Sequence, residues 1–211
     1  MFPSNSSNPW LRLGLVFTLL AASGWTMSLD VQPSVSSPAP VGTVVSIRAV
    51  VPQDDETGPL WYRYRVRAPG DAEFRTIRDY SPGDALDWAP TASEGRYEIE
   101  VSVRDRDSGE SVTTTIAYAV ESRVTNGQPV ISPTRNRLVY LYSAPPCGDG
   151  GRTRVEFVTG DNFHQFTPWA PCSSTKSSNV YLAGLRAQTK YTVQHTVEVK
   201  TGVLQRDLRW I

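Results

Sequence analysis

The sequence predicts an all-β protein: two tandem immunoglobulin- or fibronectin-III-like antiparallel sandwiches that follow an amino-terminal signal segment. Tyr97 and Tyr191 each end a short bend and begin a stretch of alternating apolar residues. A tyrosine in this position is typical of the E–F corner of a β-sandwich, where its hydroxyl caps the bend. The chain also has 16 prolines and 15 glycines among many threonines and valines, as short strands joined by turns require. Two corners indicate two domains.

The composition excludes several classes of partner. With 39% hydrophobic and 20% charged residues, the 211-residue chain fits a folded protein of one or two domains. Lysine plus arginine equals aspartate plus glutamate at 21 each, so no overall field attracts nucleic acid or an anionic membrane. The sequence has neither a glycine-rich phosphate loop nor a basic–aromatic platform. We expect no nucleic-acid partner.

An export signal is predicted over residues 1–24. Arg12 precedes the apolar stretch 13–22, which two small residues follow, and this order is typical of a signal peptide. The alternative is an uncleaved anchor, because no charge occurs from 13 to 29, a span of about the shortest length that crosses a bilayer. The prediction is therefore an exported protein, periplasmic or extracellular, that meets a membrane only through an uncleaved signal.

Cys147 and Cys172 are the only two cysteines. In an exported chain such a pair is most simply a disulfide, and closing a loop of this length stabilises a fold by about 3 kcal/mol. Two cysteines and two scattered histidines make no spaced zinc set, so we predict no metal site. A nucleophilic cysteine is disfavoured by the export signal.

The rest of the chain divides into three parts. Residues 25–40 are rich in serine and proline and are predicted to be a flexible linker. An immunoglobulin-like sandwich is predicted over 41–122, with turn residues between short alternating strands. A fibronectin-III-like sandwich with the disulfide is predicted over 123–211. The Asn126-Gly127 turn lies at the boundary between them.

One predicted strand of the first sandwich alternates apolar residues with Arg63, Arg65 and Arg67. A row of arginines can bind sulfate, phosphate or acidic glycans. The alternative is the solvated side of a sheet, paired with Glu98 and Glu100 of a neighbouring strand. The second interpretation is favoured because nothing in the pattern implies a concave site.

A second candidate surface is aromatic. Phe163, Phe166 and Trp169 lie close to Cys172 in the sequence and would stack on a sugar if exposed. Aromatic residues in a sandwich of this size more often belong to the core or to a domain interface. Both interpretations stay open for Trp169.

The two histidines carry no catalytic prediction. We assign His195 to the face opposite Val193 and Val197 and expect it to point outward, and we place His164 in a loop. A lone histidine needs a nucleophile or a carboxylate as a partner, and the sequence lacks a Gly-x-Ser-x-Gly motif.

Several segments of the sequence resemble those of a known family. The most specific of them are Pro145-Pro146-Cys147 and the run 181–184. The segments are 60–67, 74–75, 78–82, 88–90, 94–101, 141–147, 171–172 and 181–187. Across 41–199 the chain resembles the amino-terminal β-rich region of exported bacterial arylsulfotransferase-like proteins. The resemblance implies sulfuryl-transfer chemistry in a downstream β-propeller with catalytic histidines. This sequence stops before such a propeller, so no catalytic residue of the family has a counterpart here.

We therefore expect a non-catalytic accessory module that positions, dimerises or shields an arylsulfotransferase-like propeller, with no cofactor. Its expected partner is that propeller or a second copy of itself. The alternative is an independent secreted or cell-surface adhesion or glycan-binding module. Arg63, Arg65, Arg67 and Trp169 would form its ligand surface.

Overall fold

The computed structural model describes residues 27–52, 58–161 and 163–199 in full and residues 204–210 by their backbone. The predicted signal peptide over 1–24 lies outside the described residues. The described residues form strands and no helix.

The strands fall into two groups separated by the predicted boundary near residue 123. The first group is β1 (Asp30–Pro33), β2 (Ala39–Pro40), β3 (Val45–Val50), β4 (Leu60–Arg67), β5 (Arg75–Ser81), β6 (Ala85–Trp88), β7 (Gly95–Asp105) and β8 (Ser111–Glu121). The second group is β9 (Val130–Pro133), β10 (Val139–Ala144), β11 (Arg152–Thr159), β12 (His164–Phe166), β13 (Ala170–Pro171), β14 (Ser178–Ala183), β15 (Tyr191–Glu198) and β16 (Leu204–Trp210).

The first sandwich packs a three-stranded sheet, in the order β1-β3-β6, against a five-stranded sheet, in the order β2-β8-β7-β4-β5. Strand β4 shows why these residues form a half-buried strand, because its alternate residues Tyr62, Tyr64 and Val66 are buried while the arginines between them are not. Ile47 of the smaller sheet and Val101 of the larger one belong to the same hydrophobic core.

The second sandwich packs the sheet β14-β10-β9 against the sheet β12-β11-β15-β16, with β13 beside β11. Its separate core includes Tyr142, Val155, Leu182 and Val193. Strand β5 pairs with β4 in the first sandwich, and β12 pairs with β11 in the second, so both strands belong to the larger sheet of their sandwich. The predicted all-β fold of two tandem sandwiches is confirmed.

The two corner tyrosines are buried and close their bends in opposite ways. The hydroxyl of Tyr97 donates to the carbonyl of Ser93 at 2.8 Å. The hydroxyl of Tyr191 accepts the backbone N–H of Arg186, also at 2.8 Å. Each bond satisfies a polar group that the bend would otherwise leave without a partner.

The predicted disulfide is confirmed. Cys147 follows β10, Cys172 follows β13, and their Cα atoms are 5.3 Å apart. Backbone hydrogen bonds flank the bridge, from Cys147 to Ser173 and from Cys172 to Gly151. The bridge ties two loops of the second sandwich together.

The prediction of a flexible linker over 25–40 is wrong for residues 27–40. Strand β1 pairs with β3, and both Val31 and Ala39 are buried in the first core. Pro33 lies in β1 and Pro40 lies in β2, which are edge strands, where a missing backbone N–H is tolerated.

The assignment of His195 to an outward face is also wrong. His195 shares the buried side of β15 with Val193 and Val197, because the three odd-numbered positions of one strand point the same way. Its ring contacts the hydroxyl of Thr153 and lies 5.4 Å from the ring of Tyr142. His164, which we expected in a loop, lies in β12.

We expect Tyr191→Phe to lower the free energy of unfolding by about 1–2 kcal/mol, because the N–H of Arg186 loses its acceptor. Urea unfolding followed by circular dichroism measures the change. The control is Tyr181→Phe on an exposed ring, for which we expect less than about 0.5 kcal/mol. Equal losses in the two variants would show that the corner bond contributes nothing specific.

Candidate functional site

The three predicted arginines lie on the outer face of the larger sheet in the first sandwich, opposite polar residues of β7. Arg65 makes a two-point contact with Glu100, with its Nε 2.6 Å from Oε1 and an Nη 2.8 Å from Oε2. Arg67 pairs with Glu98, and Arg63 donates to the hydroxyl of Ser102 at 3.2 Å. The charges of Arg65 and Arg67 are therefore matched within the protein.

Aromatic rings cover the same arginines from the side of β5. The guanidinium carbon of Arg63 lies 4.9 Å from the ring centre of Tyr80, and that of Arg67 lies 4.8 Å from the ring centre of Phe74. Stacking of this kind holds a guanidinium in place. The side chains of Arg63, Arg65 and Arg67 are only 29%, 32% and 35% exposed to solvent. The row is a packed face of the sheet with little capacity left for an anion.

The second sandwich repeats this design on β11. The guanidinium of Arg154 lies 4.8 Å from the ring of Phe166 and 4.7 Å from the ring of Trp169. Arg152 lies 4.5 Å from the ring of Trp169 and pairs with Glu198 at 2.7 Å. The alternation of arginines along β11 is the sequence signal that would have revealed this second stack.

Trp169 is thus a partner of two arginines. A sugar ring stacks on an open aromatic face, whereas this ring already contacts two guanidinium groups. Phe163, the third predicted aromatic, lies 4.3 Å from the guanidinium of Arg186. The shallow cavity of about 450 Å³ beside Trp169 also contains the Arg152–Glu198 ion pair. The geometry favours the structural interpretation of these aromatics.

A contact between the two sandwiches is the feature that the sequence did not reveal. Leu141 belongs to β10 of the second sandwich, yet its side chain is 2% exposed and is part of the first core. Its neighbour Tyr142 points the other way, into the second core. Gly42 allows this approach, because a Cβ atom at that position would overlap the Leu141 side chain. Gly42 also has a φ of 77°, which favours glycine.

Polar contacts also connect the two sandwiches, and we call these contacts together with Leu141 and Gly42 the joint. The carboxylate of Glu94 accepts the backbone N–H of Ser177 at 2.5 Å and its hydroxyl at 2.7 Å. Arg135 pairs with Asp87 at 2.5 Å. The hydrogen bond from Arg135 is the main cause that lowers the pKa of Asp87 below its ordinary value. Each sandwich therefore supplies both apolar and charged groups to the joint.

The other shifted pKa values have structural causes. Burial raises the pKa of Tyr64 to about 12, and its hydroxyl donates to the carbonyl of Asp84 at 2.5 Å. Burial also raises the pKa of Tyr118, whose hydroxyl donates to the carbonyl of Val35 at 2.9 Å. Hydrogen bonds from Ser174 lower the pKa of Asp149. None of these groups titrates near neutral pH.

The described residues offer neither a metal-binding cluster nor a membrane-spanning helix. Within the described ranges, no group of three or more histidine, cysteine, aspartate or glutamate side chains is placed to hold a metal ion. The part of the chain that the structure describes contains no helix long and apolar enough to span a bilayer.

No protein-family model matches the chain, and no curated protein matches it. Several solved structures are similar in fold. A two-domain fibronectin type III segment from chicken tenascin is 17% identical, with a TM-score of 0.35 over 86% of this chain and 97% of that one. The chicken interferon gamma receptor alpha chain is 9% identical, with a TM-score of 0.36 over 89% of this chain and 99% of that one. The FN1–FN3 domains of chicken CNTN1 are 10% identical, with a TM-score of 0.32 over 86% of this chain and 65% of that one. At these scores the likeness carries no argument about function.

We expect Glu100→Gln to lower the free energy of unfolding by about 1–2 kcal/mol, because Arg65 loses a charged partner that is largely shielded from water. Urea unfolding measures the loss. The matched control is Glu98→Gln, whose carboxylate is 36% exposed, so its loss should stay below about 1 kcal/mol. An effect at Glu98 as large as that at Glu100 would contradict this account of the arginine face.

Proposed function

We propose that this protein is a non-catalytic interaction module that holds two β-sandwiches at a fixed angle and so positions whatever binds to either one. The single observation that carries the proposal is the insertion of Leu141, a residue of the second sandwich, into the core of the first. A joint with a shared core resists bending, whereas a polar contact alone would allow the domains to move. Glu94 and Arg135 add polar contacts between the two sandwiches.

The placement of the histidines supports a non-catalytic role. His195 is 4% exposed, and its ring contacts the hydroxyl of Thr153 within the fold. His164 contacts the carboxylate of Glu156 at 2.7 Å on an open sheet surface, where nothing shields a reaction from water. Turnover of an aryl sulfate by the purified 211-residue chain would overturn this part of the proposal.

Export is part of the proposal, and the disulfide supports it because such bridges persist in oxidising compartments. The segment 1–24 would direct the export. The test is a fusion of residues 1–40 to a reporter enzyme that is active only outside the cytoplasm. An inactive reporter, with the fusion present in the cytoplasm, would contradict export.

The partner that we propose for this module is an arylsulfotransferase-like propeller, and the resemblance of residues 41–199 is its support. The test is co-purification: a propeller encoded next to this chain should form a stable complex with it when both are exported together. Migration as separate species at micromolar concentration would argue against this partner. No observed contact favours the glycan-binding alternative, because the ring of Trp169 is occupied by Arg152 and Arg154.

The joint makes the sharpest prediction. We expect Leu141→Asp to separate the two sandwiches, because a carboxylate cannot stay unpaired in an apolar core. Residual dipolar couplings measure the result: the original protein should require one alignment tensor for both sandwiches, and the variant should require two. The control is Ile77→Asp, a change of the same type at a residue that is 50% exposed. A single tensor in Leu141→Asp would refute a joint that depends on Leu141.

The disulfide makes a second prediction. Exported protein kept without reductant should show no free thiol to a maleimide reagent, because Cys147 and Cys172 are bonded. Replacing both cysteines by serine should lower the free energy of unfolding by about 3 kcal/mol, since the unfolded chain regains the freedom of the closed loop. Urea unfolding measures this loss. Full labelling of the original protein, or an unchanged unfolding midpoint in the variant, would contradict the assignment.

A further inference from the structure

The first sandwich shows which of its surfaces binds another sandwich. The surface is formed by two loops: the turn before β3, which contains Gly42, and the E–F corner before β7, which contains Glu94. Leu141 of the second sandwich lies against Gly42, and Ser177 of the second sandwich is bound by Glu94. In this chain, this pair of loops is therefore the surface of the first sandwich that contacts the second.

The second sandwich presents the equivalent two loops without a covering domain among the described residues. The turn 134–138 precedes β10, and the corner 184–190 precedes β15. Residues of both loops line an open groove of about 570 Å³. A volume of this size accommodates a small ligand or a few side chains of a partner.

The lining of this groove combines an apolar floor with a basic rim. Leu138 and Leu185 contribute to the floor, and Leu138 is 42% exposed. Arg137, Arg186 and Lys190 form the rim. None of the described residues that line the groove is acidic. The groove therefore complements an apolar group that is flanked by negative charges.

The groove is held in shape before anything binds. Arg186 is fixed between the ring of Phe163, at 4.3 Å, and the carboxylate of Asp161, at 3.2 Å. Hydrogen bonds from Thr159 and Arg186 keep that carboxylate charged and lower the pKa of Asp161. The Tyr191 hydroxyl anchors the backbone of the same corner. A preformed site loses little conformational entropy on binding.

We propose that this groove, which we call the basic groove, is a docking site for an acidic segment of a partner protein that inserts an apolar side chain between carboxylates. The inference rests on the proposed function, because it names the surface through which the interaction module would act. The apolar side chain would lie on Leu138 and Leu185, as Leu141 lies on Gly42 in the joint. The flanking carboxylates would meet Arg137 and Lys190 on the rim.

The test uses the full exported chain with its disulfide intact and an acetylated pentapeptide with a central phenylalanine and two aspartates on each side. Two-dimensional NMR titration should give a Kd below about 1 mM, with shifted amide signals at Leu138, Leu185 and Lys190. A peptide with lysines in place of the aspartates should not bind, and neither should one with glycine in place of phenylalanine.

The variant Arg137→Glu/Lys190→Glu should weaken binding at least about tenfold, because the rim then repels the peptide. The matched control Arg96→Glu/Arg104→Glu makes the same change of net charge at exposed positions of the first sandwich and should leave the Kd within about twofold. No binding of the acidic peptide, or equal weakening in both double variants, would overturn the basic groove.

The outcomes also separate this inference from the proposed function. Absence of peptide binding, together with a single alignment tensor for the two sandwiches, would overturn the basic groove and leave the fixed joint standing. Peptide binding with two independent tensors in the original protein would overturn the fixed joint alone. Groove signals that shift on dilution of the protein without peptide would show that a second copy occupies the site and would overturn the acidic partner.

Discussion

The arrangement of this protein depends on one apolar contact, the packing of Leu141 against Gly42. Strand β10 is apolar on both faces, and each face serves a different core: Tyr142 belongs to the second core and Leu141 to the first. Only a residue without a side chain at position 42 lets the strand approach so closely. Glu94 adds part-buried hydrogen bonds to Ser177 beside this contact, whereas the Arg135–Asp87 pair lies in contact with solvent.

The outer faces of both sandwiches follow one physical rule. Each exposed arginine along β4 and β11 is held by an aromatic ring, and several are also paired with a carboxylate of the neighbouring strand. A guanidinium group is suited to this because it is planar and weakly hydrated, so it stacks and forms ion pairs at the same time. The result is a stiff, charged outer layer over each apolar core. Such a layer also discourages pairing between sheets of different molecules.

The fold class, the corner tyrosines and the disulfide pairing follow from local patterns in the sequence. Alternation along β4 and the bends before Tyr97 and Tyr191 depend only on neighbouring residues, so one chain is enough to read them. The linker prediction failed because composition alone does not distinguish a tether from a short edge strand such as β1. Both can be rich in proline and serine. The outward placement of His195 failed because its position along β15 was assigned to the wrong face.

The joint could not be predicted in the same way. The apolar run 138–142 predicts a strand that is buried on both faces. It does not indicate that one of these faces packs against the core of another domain. Glu94 gives no signal at all, since its partner Ser177 lies far away in sequence. The groove beside Leu138 could not be predicted for the same reason. Its two loops are distant in sequence and lie together only in the folded second sandwich. Contacts between distant segments are set by the whole fold, and a single sequence carries no direct record of them.

The double role of β10 has a thermodynamic consequence. A strand whose two faces lie in two different cores links the folding of both sandwiches, because loosening either core removes apolar contacts from the other. Each core therefore contributes apolar contacts to the stability of the other, although each sandwich has its own hydrophobic centre. The stability of both sandwiches is therefore coupled through a single leucine, whose side chain fits against Gly42.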